Sequence, residues 1–133
     1  MNAGRLYVDT SALVKLVVSE PESAAVLAEV AEWSGHVASE IAVTELLRAV
    51  RRMSPASLPR AIAVLGDVTL VRLHRALLDD AGRLAPAELR SLDAIHIATA
   101  RVSGATTMVT YDHRMAAAAR ADGFNVLAPG ATT

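Results

Sequence analysis

The fold of this chain is decided by the stretch Leu6-Tyr7-Val8-Asp9-Thr10-Ser11, near its amino end. Three apolar residues suited to a strand lead directly into an acid, and two hydroxyl residues then offer a helix cap. A strand followed at once by a helix is typical of α/β proteins, in which successive strands pair in parallel. The remaining sequence repeats this alternation.

Short β-branched or apolar runs predict further strands, and apolar residues at helical spacing predict further helices. The predicted strands are Leu6–Val8, Gly35–Ala38, Val68–Leu73, Thr107–Tyr111 and Phe124–Leu127. The predicted helices are Ser11–Val18, Pro21–Trp33, Glu40–Met53, Ala56–Leu65, Arg75–Leu84, Leu92–Val102 and a segment from Asp112 to Ala121, with Ser39 and Ser91 as N-caps. We therefore predict a single domain over residues 1–133, an α/β three-layer sandwich with a mostly parallel central sheet of four to five strands.

The composition excludes several classes of protein. Hydrophobic residues make up 53% of the 133 residues and charged residues 20%, which excludes a disordered chain. There is no cysteine, which excludes disulfide scaffolds, zinc fingers and thiol nucleophiles. Aromatic residues are only 3%, which counts against domains that stack bases on aromatic platforms. No apolar run approaches the roughly 20 residues of a membrane span, so we expect a cytoplasmic protein.

The charge balance gives no global attraction to nucleic acid, because the net charge is −1. Twelve of the 13 basic residues are arginines, and Lys15 is the only lysine. The planar fork of arginine suits phosphate groups, although a genome biased toward Arg and Ala codons explains the same count. Any contact with nucleic acid must therefore be local.

Two acids follow predicted strands directly. Asp9 comes after the first strand and Asp112 after Thr107–Tyr111. In open parallel sheets, ligands bind at the carboxyl ends of the strands, so these two carboxylates converge if their strands are neighbours. The alternative is that each Asp only caps the helix that follows it.

Two more acids lie in helices with apolar faces. Glu45 and Asp93 are flanked by core-type residues, where an acid is costly unless it is paired or bound to metal. The alternatives are a helical ion pair between Glu45 and Arg48 and a macrodipole preference for Asp93. Glu40, at the first position of its predicted helix, is expected to be solvated.

Brought together, Asp9, Glu45, Asp93 and Asp112 would be the oxygen-rich ligand set of a hard divalent cation, Mg²⁺ or Mn²⁺. His96 follows Asp93 by three residues, and it either reaches the same site or packs in the core. Several arginines near the acidic segments are candidates for binding phosphates: Arg48, Arg51, Arg52, Arg90 and Arg114. Among them Arg114 is singled out.

Four segments resemble the PIN-domain ribonucleases, and more narrowly the VapC toxins of bacterial toxin–antitoxin pairs. They are Tyr7–Lys15, Thr44–Arg48, Leu92–Ala100 and Val109–Met115, in the family's order. By this resemblance, the family's acidic positions are occupied by Asp9, Glu45, Asp93 and Asp112. The supporting polar residues would be Thr10 or Ser11, together with Thr110.

The resemblance implies a Mg²⁺-dependent endoribonuclease, usually dimeric, that a small cognate antitoxin holds inactive. A phosphotransfer or phosphatase domain with Asp9 as nucleophile is a rival interpretation, but Ser11 stands where a haloacid-dehalogenase-like site needs a second Asp. A second rival is a catalytically silent PIN-like module that binds RNA or protein. The four intact acids argue against it.

A homodimer is also predicted from a surplus of apolar residues in three helices. One face of a small sheet would not cover them all, and monomers seldom expose large apolar patches. The alternative is that all of these residues pack within the monomer. The residues are Leu13, Val14, Val17, Val18, Val26, Leu27, Val30, Leu46, Leu47 and Val50.

Overall fold

The computed structural model describes residues 2–132, and its centre is a parallel sheet of five strands in the order β3-β2-β1-β4-β5. The strands are β1 (Asn2–Val8), β2 (Trp33–Ser39), β3 (Thr69–Val71), β4 (Thr107–Val109) and β5 (Asn125–Leu127). All four pairings between neighbouring strands are parallel. The predicted α/β class and parallel sheet are confirmed.

Helices connect the strands and cover both faces of the sheet. They are α1 (Thr10–Val17), α2 (Ser23–Ala31), α3 (Ile41–Met53), α4 (Leu58–Gly66), α5 (Arg75–Gly82), α6 (Ser91–Ser103) and α7 (His113–Ala121). A short 3₁₀ turn, Pro55–Ser57, leads into α4.

Alternation along β1 separates the two halves of the core. Leu6 and Val8 pack with α1, α2, α3 and α4 on one face of the sheet. Tyr7 points to the other face, where it packs with Met108 of β4 and with residues of α6 and α7. Successive side chains of a strand point to opposite faces, so one short apolar run supplies both layers.

The pairing of β1 with β4 brings the carboxyl ends of these two strands together. From β1 the chain moves outward through β2 to β3, then returns to place β4 on the other side of β1. The two strands run side by side, and the N–H of Asp9 donates to the carbonyl of Val109 at 3.0 Å. Ligand sites of open α/β sheets form at such a reversal of strand order.

Pairing in the sheet moved several predicted boundaries. Helix α2 ends at Ala31 instead of Trp33, because Trp33 opens β2 opposite Asn2 of β1. Ser39 is the last residue of β2, opposite Val71, and Glu40 is the N-cap of α3. The Ser39 hydroxyl nevertheless accepts the N–H of Ile41 at 3.2 Å.

The remaining boundaries differ by a few residues. Helix α6 begins at Ser91 itself, with Arg90 as its N-cap. Strands β3 and β4 are three residues each, shorter than predicted, because only these residues have a partner in the neighbouring strand.

Most of the apolar surplus predicted for the first three helices packs within one protomer. Leu27 is 55% exposed, and it is the only one of the ten that lies open to solvent. Buried residues are Leu13, Val17, Val26, Leu46 and Val50, and half-buried ones are Val14, Val18, Val30 and Leu47. The surplus was therefore overestimated, because α1–α4 bury one another as well as the sheet.

Between residues 2 and 132, no helix is long and apolar enough to cross a membrane.

Candidate active site

Asp9 is held by two hydroxyl groups at the end of β1. Ser11 Oγ and Thr110 Oγ1 each donate to Asp9 Oδ2 at 2.8 Å, and the carboxylate is only 5% exposed. Both hydroxyls are oriented in turn by the backbone. The N–H of Tyr111 donates to Ser11 at 2.9 Å, and the N–H of Asp112 donates to Thr110 at 3.1 Å. The orientation of Asp9 is therefore set by neighbouring protein groups.

Glu45 projects from α3 toward the same edge. Thr10 Oγ1 donates to Glu45 Oε1 at 2.7 Å, and His96 Nε2 lies 2.7 Å from the same oxygen. Burial alone would raise the pKa of Glu45, but the interactions with His96 and Thr10 hold it below its usual value. The alternative of a helical ion pair with Arg48 is wrong, because the partners of the Glu45 carboxylate are Thr10 and His96.

Asp93 lies in the first turn of α6 and is the least compensated acid. It is 9% exposed, and its Oδ2 has no hydrogen-bond partner among the described residues. Burial raises its pKa, and the charges of Asp112 and Asp9 raise it further, against Arg114 and His96. A macrodipole preference alone does not account for such a group, since a buried unpaired carboxylate oxygen is costly.

Asp112 joins the site while capping α7. Its Oδ1 accepts the N–H groups of Arg114 at 2.8 Å and Met115 at 3.1 Å. The capping alternative is thus correct for Asp112, but the side chain of Asp9 makes no such bond to α1. The cap uses one oxygen of Asp112, and its charge still acts on Asp93.

His96 is buried beneath the acids, with 2% of its surface exposed. Its Nδ1 lies 2.7 Å from the hydroxyl of Tyr7, and its Nε2 lies 3.8 Å from Asp9 Oδ1 as well as against Glu45. Burial alone would lower the pKa of His96, but Glu45, Asp9 and Asp93 outweigh it and raise the pKa.

Sequence reasoning missed Tyr7. Two signals pointed to it: Tyr7 lies two residues before Asp9 and so on the same side of an extended chain, and a buried phenol needs a hydrogen-bond partner.

The arginines are distributed unevenly around the site. Arg114, in the first turn of α7, is exposed, and its charge acts on Asp93. Arg48, Arg51 and Arg52 line an open groove between α3 and α4, and Arg90 is exposed at the start of α6. We call the four acids Asp9, Glu45, Asp93 and Asp112 the acidic edge. Of the five arginines, Arg114 is the one whose charge acts on Asp93.

The oxygen donors at this edge suit a hydrated cation better than a fully enclosed one. Among residues 2–132, no three carboxylate or imidazole side chains converge tightly enough to hold an ion together. Mg²⁺ commonly binds through one or two carboxylates and keeps several waters. Asp93, with its unpartnered Oδ2, and the adjacent Asp9 meet that requirement.

Comparison with known families identifies the class of protein. A family model for the PIN domain matches residues 6–121, a range that contains all four acids. The chain belongs to the PIN domain family, as its sequence motifs predicted.

The similar curated proteins within this family are ribonucleases. Ribonuclease VapC46 of Mycobacterium tuberculosis (strain ATCC 25618 / H37Rv) is 40% identical over 126 residues, covering 93% of this chain and 97% of that protein. Ribonuclease VapC35 of the same strain is 38% identical over 135 residues, covering 94% of this chain and 97% of that protein. The predicted resemblance to the VapC ribonucleases is confirmed.

Solved structures show the same fold at lower identity. Mycobacterium tuberculosis VapC20, described as a toxin that cleaves the sarcin-ricin loop, has a TM-score of 0.73 and 20% identity, covering 85% of this chain and 94% of that one. A chain of a toxin–antitoxin complex from Klebsiella pneumoniae has a TM-score of 0.67 and 18% identity, covering 80% and 86%.

Proposed function

We propose that this protein is a metal-dependent endoribonuclease and the toxin of a toxin–antitoxin pair. Its acidic edge, formed by Asp9, Glu45, Asp93 and Asp112, would hold a hydrated Mg²⁺ or Mn²⁺ that binds one or two of these carboxylates directly and the others through its waters. The observation that carries the proposal is the buried, unpartnered Oδ2 of Asp93 beside two further carboxylates. Without a cation, this arrangement is left with uncompensated negative charge.

The residues divide the work of phosphodiester cleavage. A bound divalent cation would make the attacking water more acidic and offset negative charge on the leaving oxygen. Asp9 and Asp93 are the core ligands, because one follows a strand and the other opens a helix, so both stand on fixed backbone. Arg114, exposed beside them, would bind a phosphate of the RNA backbone.

The activity is tested by incubating the purified protein with structured and unstructured RNA. Cleavage is expected with Mg²⁺ or Mn²⁺ and is lost in EDTA, because the proposed mechanism relies on a bound cation to make the attacking water more acidic. Cleavage that persists in EDTA would contradict a metal-dependent mechanism. RNA binding without cleavage under any divalent cation would favour the silent binding module.

We further propose that the cellular partner is a small antitoxin. Support comes from the similar chain of the Klebsiella pneumoniae toxin–antitoxin complex. Expression of this protein alone is expected to arrest growth, whereas the Asp93→Ala variant at the same protein level is not. Equal growth of the two strains would count against a toxin that acts through this site.

A homodimer remains our proposal for the free protein. Several large apolar side chains are exposed on the described surface: Leu27, Met53, Ile62, Leu78, Leu92 and Val102. Light scattering at micromolar concentration is expected to give twice the mass of the 13.9 kDa chain. A stable mass near that of one chain would refute the dimer.

A further inference from the structure

We propose that Tyr7 and His96 form a buried positioning pair that fixes the Glu45 carboxylate for metal binding. This inference rests on the proposed function, because it concerns how the same acidic edge is held ready for a cation. Neither residue is exposed enough to meet RNA, since Tyr7 is 0% and His96 2% exposed. Their effect must therefore pass through a neighbouring acid, and His96 Nε2 is within hydrogen-bond distance of Glu45 at 2.7 Å but not of Asp9 at 3.8 Å.

Both ring nitrogens of His96 are engaged in the structure. Nδ1 lies 2.7 Å from the hydroxyl of Tyr7, and Nε2 lies 2.7 Å from Glu45 Oε1. Tyr7 stands on β1, His96 on α6 and Glu45 on α3. The two contacts therefore link Tyr7 and His96, on the α6 side of the sheet, to Glu45, which α3 contributes from the other side.

Tyr7 decides which way the pair donates. A phenol, with an ordinary pKa of about 10, carries its proton at neutral pH. When the imidazole is neutral, this hydroxyl donates to Nδ1, and the ring proton is then on Nε2, facing Glu45. When the imidazole is charged, both nitrogens carry protons and Nε2 still donates to Glu45. The direction of this hydrogen bond is the same in both states.

The contact restricts Glu45 without using up its carboxylate. His96 and Thr10 both donate to the same oxygen, Oε1. Two donors on one oxygen fix the plane of the carboxylate and leave Oε2 outside this network. Groups that orient a metal ligand in this way typically change metal affinity by about 10–100-fold when they are removed.

Two substitutions at one position separate positioning from packing. In His96→Gln, the side-chain amide is able to replace the Nε2 donor, whereas in His96→Asn the amide lies nearer Tyr7 and does not reach Glu45. Mn²⁺ affinity is measured by titration calorimetry on each purified variant. We expect about a 10–100-fold loss for His96→Asn and a partial rescue by His96→Gln. Equal losses in both variants, or none in His96→Asn, would overturn the proposal.

A double-mutant cycle tests whether the effect passes through Glu45. In a Glu45→Gln background, His96→Asn is expected to cause no further loss of Mn²⁺ affinity, because the oriented carboxylate is already gone. An undiminished loss in that background would show that His96 acts by another route.

Tyr7→Phe gives the same test without altering His96, and it keeps the buried ring in place if His96→Asn does not fold. Its circular dichroism and melting temperature establish that the fold is intact. The pair is supported if Tyr7→Phe weakens Mn²⁺ affinity in the wild-type background but has no effect in the Glu45→Gln background. An unchanged affinity in the wild-type background overturns the role of Tyr7. If the wild-type protein binds no Mn²⁺ and cleaves no RNA, the proposed function fails first, and the positioning pair with it.

Discussion

Asp9 and Asp93 are both buried carboxylates at one edge of the sheet, but their surroundings are opposite. Asp9 accepts hydrogen bonds from Ser11 and Thr110 on one oxygen. Asp93 has an oxygen with no partner among the described residues, and neighbouring carboxylates raise its pKa. Hydrogen bonds within the protein stabilise the charge of Asp9, whereas the charge of Asp93 needs a bound cation to stabilise it.

The difference follows from the elements that carry the two residues. Asp9 stands between β1 and α1, where the turn brings Ser11 within reach and the neighbouring strand brings Thr110. Asp93 is in the first turn of a helix packed on the sheet, and its side chain faces the charges of Asp112 and Asp9. In such a site the Asp9 carboxylate is already oriented by hydrogen bonds, and the Asp93 carboxylate is left free to bind a cation.

The largest predicted effect is a loss of activity, and it is the same for substitution of either acid. Asp9→Asn and Asp93→Asn are each expected to lower the rate of RNA cleavage at least about a thousandfold, since a lost metal ligand removes several kcal/mol of transition-state stabilisation. Single-turnover cleavage at saturating Mg²⁺ measures the effect. Full activity in either purified variant would remove that residue from the metal site.

A smaller effect is expected when only one of the hydrogen bonds that orient Asp9 is removed. Thr110→Val removes one donor to Asp9 and leaves the N–H of Asp112 without its acceptor. We expect about a 10–100-fold loss in Mn²⁺ affinity, because the hydroxyl orients a ligand without being one. Thr107→Val is the matched control, a buried threonine earlier in β4 that is absent from the acidic network. If both variants lose affinity equally, the effect reflects β4 packing and not the orientation of Asp9.

The smallest effect concerns stability without metal, where the two acids should differ in sign. Asp93→Asn is expected to raise the melting temperature in EDTA by about 2–5 °C, because it removes a buried charge that lacks a partner. Asp9→Asn is expected to lower it, because two charge-assisted hydrogen bonds weaken. The same sign for both variants would contradict the contrast between the two acids.

The gain from Asp93→Asn should also depend on pH. The pKa of Asp93 is raised in the folded protein, so ionising this group costs stability. That cost is absent below the ordinary aspartate pKa of about 3.9 and complete once the pH exceeds the raised value. The difference in melting temperature should therefore grow from acid to neutral pH. Arg75→Gln, in an exposed ion pair with Asp79, is the control and should shift the melting temperature little at any pH.

Local pattern was enough to predict the elements but not their ends. Apolar runs and caps located the five strands and the helices between them. Trp33 and Ser39 were misplaced because each belongs to β2 through its pairing with a distant residue. Helix propensity and a good capping residue compete with strand pairing, and the pairing partner is not visible in a local window.

The sequence by itself determined the alternation of strands and helices, the four acids and the family to which their motifs point. Only the tertiary structure decided what each acid touches: hydroxyls around Asp9, His96 against Glu45, a backbone cap on Asp112 and no partner for Asp93 Oδ2 among the described residues. The physical reason is distance along the chain. The groups that orient or oppose these acids lie up to about a hundred residues away and meet them only when β1 and β4 pair.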